Sequence, residues 1–379
     1  MCPLESARAA DPVDKALGRT MSEESKKTTV LVTGASGFVG RHLCRFLARR
    51  GYQVRGALRA RPPQAEDGVD YIAIGDIDDH TDWQDALEGV EIVIQAAGTT
   101  EDFTEPVGGD LVAHNQINVA GTASLAQAAV DRGVRRLIFL SSVGVRAAER
   151  GEDPTGFELS KHEAEQVLRR TVADAPLQLT ILRLPPLYGP EKVGALRLMA
   201  EAILHDRPLP LSSVQNQMSL LFVGNLVSAI EACLARPESA DQTFAISDGE
   251  AVSTPELAER LADAMGREVE LWPCPPGLLS LAGRFAGLGK VVRALTEDVV
   301  FDDQEIARVL SWEAPIEVDT ALQATVASWH LDPEAKPAKP RRPGLRGRIT
   351  ELVFDASERI VRLLRSRRDD GAGHEAHST

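Results

Sequence analysis

The sequence predicts a doubly wound α/β fold, a parallel sheet flanked by helices, with a smaller C-terminal α/β lobe. Two observations carry this. Short apolar runs alternate with amphipathic segments from about residue 29 to residue 182, at the spacing of βαβ units. The first strand and the first helix are joined by a glycine-rich turn. A third observation excludes a membrane bundle: no run of 18 apolar residues is free of charge, and the most apolar segment, 276–289, is interrupted by Arg284.

The elements follow in order. Residues 29–32 form the first strand, and 39–50 the first helix, with Val39, Leu43, Phe46 and Leu47 on one face. Strands are predicted at 53–58, 71–74 and 91–96, then an alanine-rich helix at 122–132. A strand at 136–140, a helix at 160–170 and a strand at 179–182 complete the array. After Pro185 the rhythm changes. Helices near 194–205 and 225–235 precede a strand at 243–246. Ser253-Thr254-Pro255-Glu256 opens another helix, with serine at the cap and glutamate three residues on.

The ends differ from this body. Residues 1–27 have no apolar periodicity and read as disordered, with Met21 an alternative start. Four prolines make 331–344 an extended linker. In 345–368, Ile349, Leu352, Val353, Ala356, Ile360, Val361 and Leu364 recur at helical spacing among arginines, and 369–379 reads as disordered. Such a basic helix lies on an anionic membrane surface, docks on a partner protein, or packs back on its own body. The net charge of −14 is concentrated in 28–330, which argues against nucleic-acid binding. Cys2, Cys44, Cys233 and Cys274 are widely spaced. With no apolar leader at the N-terminus, they suit a reducing cytoplasm, the protein being there or peripheral to the inner face of a membrane.

Gly34-Ala35-Ser36-Gly37-Phe38-Val39-Gly40 carries the first chemical signal. Gly34 allows the tight turn, Gly37 lets a pyrophosphate approach the backbone, and Gly40 lets the helix pack on the strand. The helix N-terminus supplies N–H groups and positive dipole. The second strand ends Ala57-Leu58-Arg59-Ala60-Arg61, without the acid that binds ribose hydroxyls in NAD sites. Arg59, with Arg61 in reserve, suits a 2′-phosphate, so NADP(H) is favoured over NAD(H).

Further segments make the chain resemble an extended short-chain dehydrogenase/reductase of the nucleotide-sugar epimerase/dehydratase branch, over about residues 29–329. They are Gly75-Asp76-Ile77, Gln95-Ala96-Ala97-Gly98, Asn118-Val119-Ala120-Gly121-Thr122, Phe139-Leu140-Ser141-Ser142, Arg183-Leu184-Pro185-Pro186-Leu187-Tyr188-Gly189-Pro190 and Phe222-Val223-Gly224-Asn225-Leu226. The resemblance implies a Rossmann unit over about 28–183 and a substrate lobe over about 184–330. It implies a cofactor site made of Gly34, Ser36, Gly37, Phe38, Val39, Gly40, Arg59, Asp76, Ile77, Ala96, Ala97, Gly98, Asn118, Lys161 and Pro185. Asp76 and Ile77 face the adenine, Ser142 is the catalytic serine, and homodimers through two Rossmann helices are common.

The family's chemistry also uses Tyr-x-x-x-Lys on the helix after the serine. Residues i and i+4 share a helix face; the lysine holds the nicotinamide ribose and the tyrosine moves a proton. Here the segment reads Phe157-Glu158-Leu159-Ser160-Lys161, so the proton-bearing hydroxyl is missing. Of the three tyrosines, Tyr52 and Tyr71 belong to the far end of the sheet, and Tyr188 is expected to be structural. Met218 stands where relatives carry an arginine that clamps the substrate diphosphate, and 145–157 is short. The histidines show no metal-ligand spacing, so no metal is expected. Ser141 and Ser142 lack a positioned histidine for hydrolase chemistry. Two readings stay open. One is an oxidoreductase or epimerase with altered proton transfer, acting on a sugar-like hydroxyl or carbonyl substrate. The other is a catalytically silent member that keeps NADP(H) as a structural or sensing ligand and works through partners.

Overall fold

The computed structural model describes residues 28–60, 66–98, 114–192, 194–286 and 288–329. The expected N-terminal disorder, the linker and the basic C-terminal helix lie outside the described residues, as does Arg61. No described helix is long and apolar enough to cross a membrane.

The first half is β1 (Thr29–Thr33), α1 (Phe38–Arg49), β2 (Gln53–Leu58), β3 (Val69–Ala73), β4 (Ile92–Gln95), α2 (Gly121–Asp131), β5 (Arg136–Ser142), α3 (Val145–Arg150), α4 (Gly156–Val172) and β6 (Gln178–Leu184). The second half is β7 (Leu187–Tyr188), α5 (Ala195–Leu204), β8 (Met218–Ser219), β9 (Leu221–Phe222), α6 (Val223–Ala235), β10 (Thr243–Ala245), β11 (Ala251–Val252), α7 (Thr254–Ala264), α8 (Pro276–Ala286), α9 (Gly289–Thr296), α10 (Gln304–Leu310) and α11 (Val318–Ser328).

Seven strands form one sheet in the order β10-β6-β5-β4-β1-β2-β3, each pair parallel. Chain direction across the sheet reverses between β1 and β4, which opens a crevice at the strands' C-terminal ends where such folds bind ligands. The central strands are apolar because both sheet faces are covered. Val30, Val32, Ile94 and Ile138 belong to one buried cluster, and Leu31, Val93, Leu137 and Phe139 to the other.

Most expected elements are present, with small shifts. The helix foreseen at 160–170 starts earlier, at Gly156. The Thr155 side chain accepts from the Glu158 N–H and the Glu158 carboxylate from the Thr155 N–H, a full capping box. At α7 the Ser253 hydroxyl accepts from the Glu256 N–H, as foreseen. A π-turn, Asn115–Ala120, precedes α2 and was not foreseen. Trp83, Trp312 and Trp329 are buried in the core.

Asp248 ties β7, β9 and α6 together within the second half. Its carboxylate accepts from the Tyr188 hydroxyl (2.8 Å), the Phe222 N–H (2.9 Å) and the Asn225 amide (2.8 Å). Burial pushes its pKa up to about 6 against the pull of those donors. Tyr188 is thus structural, as expected. Replacing Asp248 with alanine strands three buried donors. Asp248→Ala should lower unfolding stability by about 2–4 kcal/mol in urea titrations.

Candidate active site

The phosphate loop is tightly built. Gly34 has φ +66°, in the left-handed region, and a Cβ there would lie 2.8 Å from the Ala97 Cα. A Cβ on Gly40 would lie 2.1 Å from the Gly34 carbonyl oxygen, so any side chain would push α1 off the loop. Gly37 is the N-cap of α1 and offers no side-chain cap, while Ser36 and Gly37 are exposed and Phe38 and Val39 half-buried. The Ala35 and Gly37 N–H groups bond inward to the Ala57 and Gly34 carbonyls, and the first turn of α1, with no side-chain cap, is left to offer its backbone N–H groups, which suits a pyrophosphate. Lys192 adds a cation that the motif did not reveal: its Nζ lies 4.9 Å from the centre of the Phe38 ring.

At the ends of β2 and β3, Arg59 and Asp76 meet in an exposed ion pair of 2.5 Å. Ile77 lies so close to the start of α2 that a Cβ on Gly121 would fall 2.4 Å from its Cγ2. Asp78 shapes the following turn, its carboxylate accepting from the His80 N–H.

The remaining residues gather beyond β4 and β5. Ala97 is fixed by its N–H to the Thr33 hydroxyl, 3.1 Å. Lys161 is buried on α4 and donates to the Leu140 carbonyl at 2.8 Å, with its Nζ 4.7 Å from the centre of the Phe139 ring. Loss of water pulls its pKa down to about 8, and Glu165 one turn further on opposes that shift. Asn118 is buried and donates to the Ser160 hydroxyl at 2.9 Å. A Cβ on Gly98 would lie 3.0 Å from the Asn118 Oδ1 and 3.2 Å from the Lys161 Nζ. Gly98, Asn118 and Lys161, on three different elements, thus converge on one cradle. Ser142 closes β5 beside it, its hydroxyl accepting from the Gly144 N–H at 3.1 Å. Pro185 is buried just past β6.

Phe157 stands one turn before Lys161 on α4, and the His114 imidazole meets its ring edge-on, centroids 6.1 Å apart. Asn118 touches Ser160 and His114 touches Phe157, so the two helical segments pack in step. Sequence reasoning missed His114, although it lies four residues before Asn118 and so one turn away on the same face. Glu158 is used in the α4 cap, and the His162 ring bonds the Gln166 amide. Met218 faces the core: it is buried, with its Sδ 3.9 Å from the Thr254 hydroxyl. No metal-binding cluster occurs among the described residues.

The fold and this cradle define a dinucleotide-binding α/β protein of the short-chain dehydrogenase/reductase type. Comparison with known families makes that specific. The model of the NAD dependent epimerase/dehydratase family matches residues 30–247, and the chain belongs to that family. It is 30% identical to a UDP-glucose 4-epimerase of Vibrio cholerae over 314 residues, covering 79% of this chain and 95% of the relative. The fold is similar to the UDP-glucose 4-epimerase of Thermotoga maritima solved with UDP-glucose (TM-score 0.64, 18% identity, 79% of this chain and 98% of that one). It is equally similar to the UDP-glucuronic acid 4-epimerase of Bacillus cereus solved with UDP-glucuronic acid and NAD (TM-score 0.64, 18% identity, 79% and 98%). The comparisons give the silent, non-catalytic reading no support.

Two predictions follow from the cradle. Gly98→Ala, whose Cβ would crowd Asn118 and Lys161, should weaken dinucleotide affinity at least about tenfold, read by calorimetry. The Lys161 ammonium is present below its pKa of about 8 and lost above it. Dinucleotide affinity should therefore decline as pH rises through that value, and fluorescence titrations on either side of it would show the fall.

Proposed function

We propose that this protein is an NAD(P)-dependent oxidoreductase or epimerase acting at a hydroxyl or carbonyl carbon of a sugar-like substrate, with His114 in the proton-transfer role that a tyrosine would otherwise fill. The observation that carries the reading is the convergence of Gly98, Asn118 and buried Lys161 at the end of β5, with Ser142 and His114 around it. The family match and the Vibrio cholerae relative support the reaction class.

The residues present fit a dinucleotide. The Gly34–Gly40 loop and the N-terminus of α1 would hold the pyrophosphate, Asp76 and Ile77 the adenosine end, and Asn118 and Lys161 the nicotinamide ribose. When bound, the cofactor supplies hydride acceptance and donation. The protein's own part is the proton. The Ser142 hydroxyl accepts the Gly144 N–H, which leaves its own hydrogen free to donate to the substrate oxygen. As the substrate carbon is oxidised, its O–H bond breaks and the proton passes to the His114 imidazole; in the reverse direction His114 returns it. The Lys161 charge favours the oxyanion character that develops on that oxygen.

Turnover is tested by supplying UDP-hexoses with NAD(P)+ and following epimer formation and reduced-nicotinamide absorbance. His114→Gln should lower kcat by at least about 100-fold while leaving dinucleotide affinity in place. An unchanged kcat would move the proton to another group, and absence of turnover on any sugar-like alcohol would reject the enzyme reading.

We further infer a preference for NADP(H), supported by Arg59 at the end of β2 with no acid in the adjoining Ala57-Leu58. A 2′-phosphate would draw Arg59 from its pairing with Asp76. Calorimetry should show NADP(H) binding about tenfold more tightly than NAD(H), a preference that Arg59→Ala removes. Equal affinities in the wild type would reject it.

A further inference from the structure

Helix α8 is apolar on both sides. Leu279, Ala282 and Gly283 turn inward, Leu279 packing against the main core and Gly283 so close to α9 that a Cβ on it would lie 2.6 Å from Val292. Leu278, Leu281 and Phe285, at spacings of three and four, form the outward stripe and are 59%, 50% and 56% exposed. A helix at the surface of a globular protein ordinarily carries polar residues on that side. Among the described residues only two other large apolar side chains, Leu198 and Val300, are comparably exposed.

The charge around this stripe is equally unusual. The chain has 56 Asp and Glu residues and a net charge of −14, yet no acid occurs from 271 to 296. Arg284, exposed within the outward face of α8, and Lys290 and Arg293 on α9 are the charged residues of that window, and Arg293 pairs with Glu297 just beyond it. An outward Leu/Leu/Phe stripe with Arg284 on the same face, in a segment without acids, is the composition of a helix that lies in the interface of an anionic bilayer. A second protein is a poorer match. The stripe exposes roughly 300 Å² if each side chain offers about 200 Å² when fully open, well under the ~800 Å² per partner of a stable protein interface.

We propose that the outward face of α8 docks this protein on an anionic lipid surface, with Leu278, Leu281 and Phe285 entering the headgroup boundary and Arg284 meeting lipid phosphates. The docking surface is independent of the chemistry assigned to the cradle. Because it belongs to the second half of the chain, it would hold the substrate-side lobe, rather than the Gly34–Gly40 loop, against the lipid.

The test uses the full-length chain and co-sedimentation with vesicles of phosphatidylglycerol and phosphatidylcholine, against vesicles of phosphatidylcholine alone. The wild type should sediment with the anionic vesicles, less so as salt rises. The triple variant Leu278→Ser/Leu281→Ser/Phe285→Ser should bind at least about tenfold more weakly, with melting temperature and dinucleotide binding unchanged. Should the triple variant fold poorly, hydrogen exchange of the wild type answers the same question: residues 276–286 should slow when anionic vesicles are added. Three results would overturn the proposal. These are no binding by the wild type, equal binding by the folded triple variant with no slowing of 276–286, and a dimer in sedimentation equilibrium that the triple substitution dissociates while lipid binding stays absent or unchanged.

Discussion

The site depends on a lysine charge held out of water. Transferring an ammonium group into a protein interior costs several kcal/mol unless partners replace its hydration. Around Lys161 those partners are the Leu140 carbonyl, the face of Phe139 and, a turn away, the carboxylate of Glu165. Glu165 is itself buried and anchored. It accepts from the Ser141 hydroxyl at 2.6 Å and pairs with Arg183 at 2.8 Å, and Arg183 also pairs with Glu149. One charged network therefore locks α4 to the ends of β5 and β6, where Ser142 and Pro185 emerge. A loose α4 would leave both the lysine and the glutamate without compensation, so the buried charges also fix the geometry.

The same constraint organises the far side of the cradle. Asn118 is buried against Ser160, whose hydroxyl donates to the Phe157 carbonyl at 2.8 Å. The π-turn at Asn115–Ala120 re-aims the chain just before α2, so that Asn118 reaches inward toward α4. Gly98 completes the arrangement by leaving space that any Cβ would take from Asn118 and Lys161. At the other end of the crevice the packing of Gly40 against Gly34 fixes α1 to its loop. The two ends are joined by β1 and β4, which are hydrogen-bonded neighbours.

Much of this was legible in the sequence. Strand and helix alternation gave the sheet, because parallel strands covered on both faces must be apolar and their crossover helices amphipathic. The glycines at 34, 37 and 40 were legible because a tight strand-to-helix turn imposes them, whereas Lys161 was singled out only through the resemblance to the family's Tyr-x-x-x-Lys segment. Three features were not. His114 is one of eight histidines with no motif around it, and only the packing of the π-turn on α4 sets it against Phe157. Lys192 joins the phosphate loop through a long-range approach to Phe38 that no local pattern encodes. Met218 stands where the resemblance places a clamping arginine, and that its short strand turns the side chain inward against Thr254 is a tertiary feature no local pattern encodes. The Thr155 cap is written locally in Thr155-Gly156-Phe157-Glu158, with threonine at the cap and glutamate three residues on.

In the function proposed here, Lys161, Asn118, Ser142 and His114 surround the reacting end of a bound dinucleotide. A crystal structure of the full-length chain with NADP+ bound tests it most directly. The nicotinamide-ribose hydroxyls should lie within hydrogen-bonding distance of the Lys161 Nζ, with the Ser142 hydroxyl and the His114 imidazole on the open side of the nicotinamide ring. A nicotinamide turned away from Lys161, or a His114 ring shut off from the open side by Phe157, would contradict it.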